Sequence, residues 1–195
     1  MKRPSPTPTA GPRDRLLDAA ITLMRGSGLA GAGINEIVRV SGAPKGSVYH
    51  YFPDGKLQIA GEALSHYSKQ VVAFIDASLS KKREPAAKVT ALFDAFARRV
   101  EAGDFKLSCA AGTVCLDLDA DVAELRPVVA ATFDAYVAVI AGHFPFNDRA
   151  RARSFASLLL TAIEGAYIRC RADRSSEPFR EAGAWLATLV RRPPR

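Results

Sequence analysis

Apolar residues recur along this chain at spacings of three and four, the repeat that gathers side chains on one face of an α-helix. Leu16, Leu17, Ala20, Ile21 and Met24 predict an amphipathic helix from Pro12 to Met24, and Ile34, Ile37 and Val38 mark a short second face. Val48 and Phe52 supply a third. From Leu57 to Leu79 the set Leu57, Ala60, Leu64, Tyr67, Val71, Phe74 and Ile75 runs in near-heptad order. Pro85 opens another helix, with Val89, Leu92, Phe93, Phe96 and Val100 on one side and Gly103 at its end. Leu125, Val129, Phe133, Tyr136, Val137 and Ile140 form a further stripe closed by Gly142. Asn147 is expected to cap a helix reaching about Ala172, and Pro178 to start a last one through Val190. The segment Ser108 to Leu118 reads equally as helix or loop. No strand pattern of alternating residues between turn signals occurs, so the expected fold class is all-α.

The local chemistry is densest between Ile34 and Lys56. Gly33 can cap the helix that begins at Ile34, and Asn35 and Glu36 suit its first turn, where backbone N–H groups are free. Ser41-Gly42-Ala43-Pro44 ends it: Gly42 can adopt the left-handed conformation of a C-terminal cap, and Pro44 fits the start of a new helix. The second helix should run from Lys45 to Phe52 and stop before Pro53. It would bury Val48 and Phe52 and leave Lys45, Ser47, Tyr49 and His50 outward. Two short helices joined by a tight turn containing glycine form the helix-turn-helix that enters a DNA groove.

The block GAPKGSVYHYFPDGKLQIA closely resembles the recognition-helix segment of TetR-type transcriptional repressors, in which Gly-Val-Ser-Lys-Gly-Thr-Leu-Tyr-His-Tyr-Phe is followed by a lysine. Ala-Pro before the lysine and Phe-Pro-Asp-Gly-Lys after it are similar to the LmrA/YxaF branch. The resemblance extends more weakly through chain length, helix order and the stretch AIEGAYIRCRADR. Ala32-Gly33 departs from it, since many relatives carry a hydroxyl residue at the cap. The resemblance implies a helix-turn-helix domain over residues 12–56 and a helical ligand-binding and dimerisation domain over residues 57–192. Residues 1–11, with three prolines and several Ser/Thr, read as a disordered basic arm.

For contacts with a double-stranded DNA operator, Lys45 should neutralise a phosphate beside the free N–H groups of its helix, and Gly46 should let the backbone approach the duplex. The resemblance carries phosphate or base contact to Ser47, Tyr49 and His50. Lys56 would anchor another phosphate. Tyr49 and Tyr51 also have a packing alternative, and Arg39 reads equally as a backbone contact or a solvated side chain. One motif reads too few base pairs to be selective. Two related by a twofold, about 34 Å or a multiple of it apart, would read a pseudo-palindrome. A homodimer built on Phe155, Leu159, Ala162, Ala166, Trp185, Leu186 and Leu189 is therefore expected, with several of these residues read as ordinary intramolecular core.

The resemblance also implies a pocket for a small-molecule inducer, with Phe93, Phe96, Phe133, Tyr136 and Tyr167 as aromatic walls and Cys109, Cys115 and Glu164 as its sparse polar groups. Each of these residues, taken singly, reads first as core and only second as pocket. The composition suits a flat or lipophilic molecule. A buried Glu164 would need a partner or a raised pKa, and a cationic ligand is one solution.

Composition changes the picture little. The chain has 195 residues, is 48% hydrophobic and carries a net charge of +7. Eight Lys/Arg against four Asp/Glu in the first sixty residues place +4 of that at one end, which favours a polyanion partner. Cys109, Cys115 and Cys170 have no zinc spacing and read as buried thiols in a reducing cytoplasm, with a Cys109–Cys115 redox pair as the sharper alternative. Gly26, Gly28 and Gly31 satisfy GxGxxG without the preceding strand a dinucleotide site needs, and read as a flexible loop between helices. Asp117, Asp119 and Asp121 lack the rest of a calcium loop and read as a solvated loop or helix start. His50, His66 and His143 are far apart in sequence. Neither catalytic constellation, metal site nor cofactor is expected. With no run of eighteen apolar residues and no apolar signal region, the expected location is the cytoplasm. The expected function is a ligand-responsive repressor; the alternative is an activator or architectural DNA-binding protein without an inducer.

Overall fold

The computed structural model describes residues 11–190, and every regular element among them is helical. The elements are α1 (Pro12–Gly31), α2 (Ile34–Ser41), α3 (Lys45–Tyr51), α4 (Lys56–Ser80), α5 (Pro85–Ala102), α6 (Ala110–Leu116), α7 (Arg126–Gly142), α8 (Arg149–Asp173) and α9 (Glu177–Thr188), with a 3-10 turn at Ala123–Leu125. The expected basic arm lies outside the described residues except for Gly11. The ambiguous segment near Ser108 resolves as the short helix α6.

Two compact units emerge. Among the described residues, one comprises 11–67 together with Ala110–Ala130, and the other Ser68–Cys109 together with 131–190. Helices α4 and α7 each contribute to both units, and a segment distant in sequence joins the helix-turn-helix.

In the first unit α1 packs against α2, α3 and α6. Its buried residues Leu16, Leu17, Ala20, Ile21 and Met24 are those of the sequence stripe, and Ile37, Val48, Phe52, Val114 and Leu125 complete this core. Helix α1 is longer than the stripe, because the glycine segment after Met24 is helical rather than a loop. It breaks only at Ser27 (φ −140°, ψ 15°) and Gly28 (φ 68°, ψ −172°) before one last turn. The break is held from α6. Oδ2 of Asp117 accepts the N–H groups of Leu29 at 2.6 Å and Ala30 at 3.3 Å, and the Thr113 hydroxyl lies 2.7 Å from the Met24 carbonyl. Asp117 is thus a backbone acceptor and not a solvated loop residue. Asp119 accepts the Asp121 N–H within its own loop.

In the second unit α5 packs along α9, and α8 packs against both. Phe93, Phe96, Tyr167 and Phe179 are buried and meet as rings: Phe179 stacks on Phe96 at 5.9 Å and meets the edge of Tyr167 at 5.2 Å. Gly183 of α9 presses against Phe93, where an added Cβ would sit 2.6 Å from the Phe93 Cβ. Asp148, and not Asn147, caps α8: its carboxylate accepts the Ala150 N–H at 2.8 Å. The stretch Ala123–Gly142 is long and apolar enough by composition to cross a bilayer, with a mean hydropathy of 1.4. Its residues Leu125, Val129, Tyr136, Val137 and Ile140 are nevertheless buried in protein.

Three residues expected at a dimer contact, Phe155, Leu159 and Ala166, are buried within this chain. The apolar residues that α8 and α9 leave exposed are Leu158, Ile168, Trp185 (77%) and Leu189 (60%), with Ala162 and Leu186 half-buried among them.

Candidate nucleic-acid interface

The turn between α2 and α3 is built from its own side chains. Gly42 takes the left-handed conformation at φ 63°, and its N–H bonds the Val38 carbonyl at 3.0 Å, closing α2. The buried Ser41 hydroxyl donates to the Val38 carbonyl and accepts the Ala43 N–H, both at 3.1 Å. Pro44 (φ −59°, ψ 138°) starts α3, and the Ser47 N–H returns to its carbonyl at 2.9 Å.

Within α3, Val48 and the following Phe52 are completely buried. That burial aims the opposite side of the helix at solvent. Lys45, Gly46, Tyr49 and His50 are exposed there, Tyr49 at 58%, and Ser47 is half-buried. Tyr51 is half-buried and packs edge-on against His50 at 4.8 Å, with Phe52 6.5 Å away. Around Gly46 nothing lies within 4 Å of an added Cβ, so no contact inside the chain requires glycine there. The Arg13 guanidinium stands 5.4 Å over the Phe52 ring and pairs with Glu62, tying α1, α3 and α4 together.

Lys56 is half-buried at the start of α4 and lines a cleft of about 380 Å³ together with Leu29, Leu116, Asp117, Asp119 and Val122. Arg39 is already engaged: its Nε donates to Glu36 at 2.9 Å and its second guanidinium nitrogen pairs with the same carboxylate. That hydrogen bond holds the Glu36 carboxyl below its usual pKa.

The second unit gathers most of the residues expected at a ligand site. Phe96, Tyr136 and Tyr167 are buried, and Phe133 is half-buried 6.5 Å from Tyr136. Phe93 fills the contact between α5 and α9. Cys109 is half-buried and hydrogen-bonds the Glu164 carboxyl. Cys115 is exposed on α6 in the first unit, so it is neither the buried thiol expected from the sequence nor part of this group. Burial raises the Cys170 thiol above its ordinary pKa.

Burial also pushes the Glu164 carboxyl up to about 7, with the Cys109 hydrogen bond pulling the other way. Because the folded pKa lies above the ordinary carboxyl value of 4.5, the protonated acid stabilises the fold. That contribution is complete below pH 4.5 and is lost as pH rises through about 7. Stability should fall by on the order of 2 kcal/mol between pH 5 and pH 8 from this group. Glu164→Gln, neutral throughout, should flatten that fall. Thermal melts of both proteins across this range check it, and parallel curves would remove Glu164 as the cause.

Two helical units, one presenting a helix-turn-helix with a basic and aromatic outer face, define a DNA-binding regulator. The comparisons place it more narrowly. Residues 16–63 match the model of bacterial regulatory proteins of the tetR family, and residues 85–184 match the C-terminal domain of LmrA/YxaF-like transcriptional regulators. The chain belongs to the TetR family of transcriptional regulators, in its LmrA/YxaF-like branch. It is 30% identical over 176 residues to an uncharacterized HTH-type transcriptional regulator of Mycobacterium tuberculosis, covering 87% of this chain and 89% of that one. It is 24% identical to the HTH-type transcriptional regulator LmrA of Bacillus subtilis, covering 92% and 97%. In fold it is similar to a regulatory protein TetR from Rhodobacter sphaeroides (TM-score 0.80, 17% identity, covering 90% and 96%). It is similar also to CifR solved with a 26 bp double-strand operator DNA (TM-score 0.79, 16% identity, covering 95% and 100%).

Proposed function

We propose that the protein is a homodimeric, cytoplasmic repressor that binds a pseudo-palindromic operator and leaves it when a small lipophilic or aromatic molecule binds the second unit. The observation that carries this reading is the outer face of α3. Burial of Val48 and Phe52 directs Lys45, Gly46, Tyr49 and His50 to solvent as one contiguous surface. Lys45 and Lys56 neutralise phosphates, Ser47, Tyr49 and His50 reach backbone and base edges, and the open space at Gly46 admits the duplex. Arg39 is held by Glu36 and Tyr51 by its ring neighbours, so both contribute less. The operator complex of CifR, which shares the fold, supports DNA as the partner.

For the homodimer, Trp185, Leu189, Ile168 and Leu158 offer an exposed apolar face on α8 and α9 that a second copy would cover. For the inducer, Phe96, Phe133, Tyr136 and Tyr167 provide apolar walls, and Glu164 with Cys109 a polar anchor that also accommodates a cationic group. Phe93 is a wall only if it leaves its contact with Gly183. An inducer that turns a population 99% competent for DNA into one 99% incompetent must prefer the second conformer by about 5.5 kcal/mol.

Fluorescence anisotropy of the full chain on the DNA upstream of its own gene and of neighbouring genes tests the reading. Tight binding to one fragment, falling with salt at a slope of roughly −0.9 per phosphate neutralised, is the expected result. Equal weak binding to every fragment would favour an architectural role. Selective binding that no aromatic or lipophilic compound reverses would remove the inducer.

A further inference from the structure

We propose that Asp117 is a positioning residue for operator recognition: from the end of α6 it caps the last turn of α1 and thereby sets the angle at which α2 and α3 meet DNA. The inference rests on the reading of this protein as a DNA-binding regulator and adds a residue outside the helix-turn-helix to its recognition machinery.

The argument begins with the break in α1. Helical geometry fails at Ser27 and Gly28 and resumes only for Leu29–Gly31, a single turn that leads through Ala32 and Gly33 into α2. One turn has no helical cooperativity to hold it, and its first N–H groups have no acceptor within the helix. A capping side chain normally comes from just upstream in the chain. Here it comes from 88 residues away. One oxygen of Asp117 accepts both Leu29 N–H, at 2.6 Å, and Ala30 N–H, at 3.3 Å, the geometry of a charge-assisted cap.

Gly28 makes the arrangement possible twice over. Its φ of 68° is the left-handed conformation that turns the chain, and a Cβ there would sit 2.5 Å from the same Asp117 oxygen. On the other side of the break the Thr113 hydroxyl holds the Met24 carbonyl. Helix α6 therefore grips α1 both before and after its break. Downstream, the N-cap of α2 is Gly33, which has no side chain to cap it. Leu29 and Ala32 are buried, so the course of the last turn of α1 fixes where α2 begins. Loss of the cap leaves the core of the unit in place and loosens the presentation of α3.

That predicts an effect on selective binding and not on attraction to DNA in general. With the full-length protein, Asp117→Ala should weaken binding to the selected upstream fragment about tenfold, while binding to a random duplex of equal length changes less than about twofold. Asp117→Asn keeps an oxygen that can accept both bonds and should stay within about threefold of the parent. Hydrogen exchange at the Leu29 and Ala30 amides should accelerate at least about tenfold in Asp117→Ala, with the amides of Ile37 and Val48 unchanged. Gly28→Ala, which expels the carboxylate without altering it, should weaken selective binding in the parent and add little in Asp117→Ala. Gly28→Ala and Asp117→Asn also decide the matter if Asp117→Ala does not fold.

Unchanged operator affinity in Asp117→Ala or Gly28→Ala, or equal loss on operator and random duplex, would overturn the proposal. If the parent prefers no fragment, the DNA reading itself fails, and unaltered exchange at Leu29 and Ala30 would separately dismiss the cap.

Discussion

Lys45→Glu should lower operator affinity by roughly a hundredfold or more at physiological salt while leaving the fold intact. Lys45 is exposed on the outer side of α3, opposite the buried Val48 and Phe52, and among the described residues it forms no ion pair that the substitution would break. In a twofold complex the change removes two phosphate contacts and installs two negative charges against the duplex. The salt slope should become shallower by about two, because two fewer counterions are released. A glutamate at the start of α3 suits the helix dipole, so the variant should melt within about a degree of the parent. Anisotropy titrations at three salt concentrations, alongside a thermal melt, read both quantities. Operator binding within threefold of the parent would remove Lys45 from the interface and with it the assignment of α3 as the recognition helix.

Phe179→Ala should cost about 3–5 kcal/mol, the largest loss of stability expected from a single truncation in the second unit. The ring is completely buried and contacts three others: it stacks on Phe96, meets Tyr167 edge-on and lies 6.4 Å from Phe93. These rings come from α5, α8 and α9, so one cavity loosens three helices at once. A fall in melting temperature of roughly 10 °C corresponds to that loss in a chain of this size. Phe179→Leu, which refills much of the space, should recover at least half of it. A loss below about 1 kcal/mol for the alanine variant would show that the cluster collapses without cost, contrary to its close packing. The proposed DNA-contacting residues all belong to the other unit, so binding measured well below the melting point should change far less than stability.

Much of this protein was legible because its chemistry is local. The spacing of Val48 and Phe52 is enough to decide which side of α3 faces outward. Gly42 announced the left-handed cap of α2, and Pro85 opens α5 as expected. The block from Gly42 to Lys56 carried the family resemblance, and the family models then matched the chain on both sides of it. Cap choice was less secure. Asn147 and Asp148 are adjacent cap formers, and the one that accepts the Ala150 N–H depends on where α8 begins, a matter of a single residue.

Long-range chemistry was not legible. Asp117 read as one of three alternating aspartates in a solvated loop, and nothing around it names an acceptor for Leu29. A backbone N–H takes any acceptor of the right geometry, so neither partner carries a signature of the other. Which residues of the expected dimer patch belong to the core was hidden for a related reason: Phe155 and Leu159 belong to the same apolar stripe as any interface residue would, and only packing shows that they are buried. Cys115 and Cys109 are six positions apart, yet one is exposed on α6 and the other reaches Glu164.

The amino-acid sequence by itself determined the helices other than α6 and the last turns of α1, together with the turn of the DNA-binding motif, the outward side of α3 and the family, because each follows from residues close to one another along the chain. Tertiary structure decided that residues 110–130 complete the DNA-binding unit, that Asp117 caps a helix 88 residues away, and which apolar positions on α8 and α9 remain open. Those outcomes depend on which surfaces meet once the helices pack, and hydrophobic burial, being non-directional, leaves no mark of its partner in the pattern along the chain.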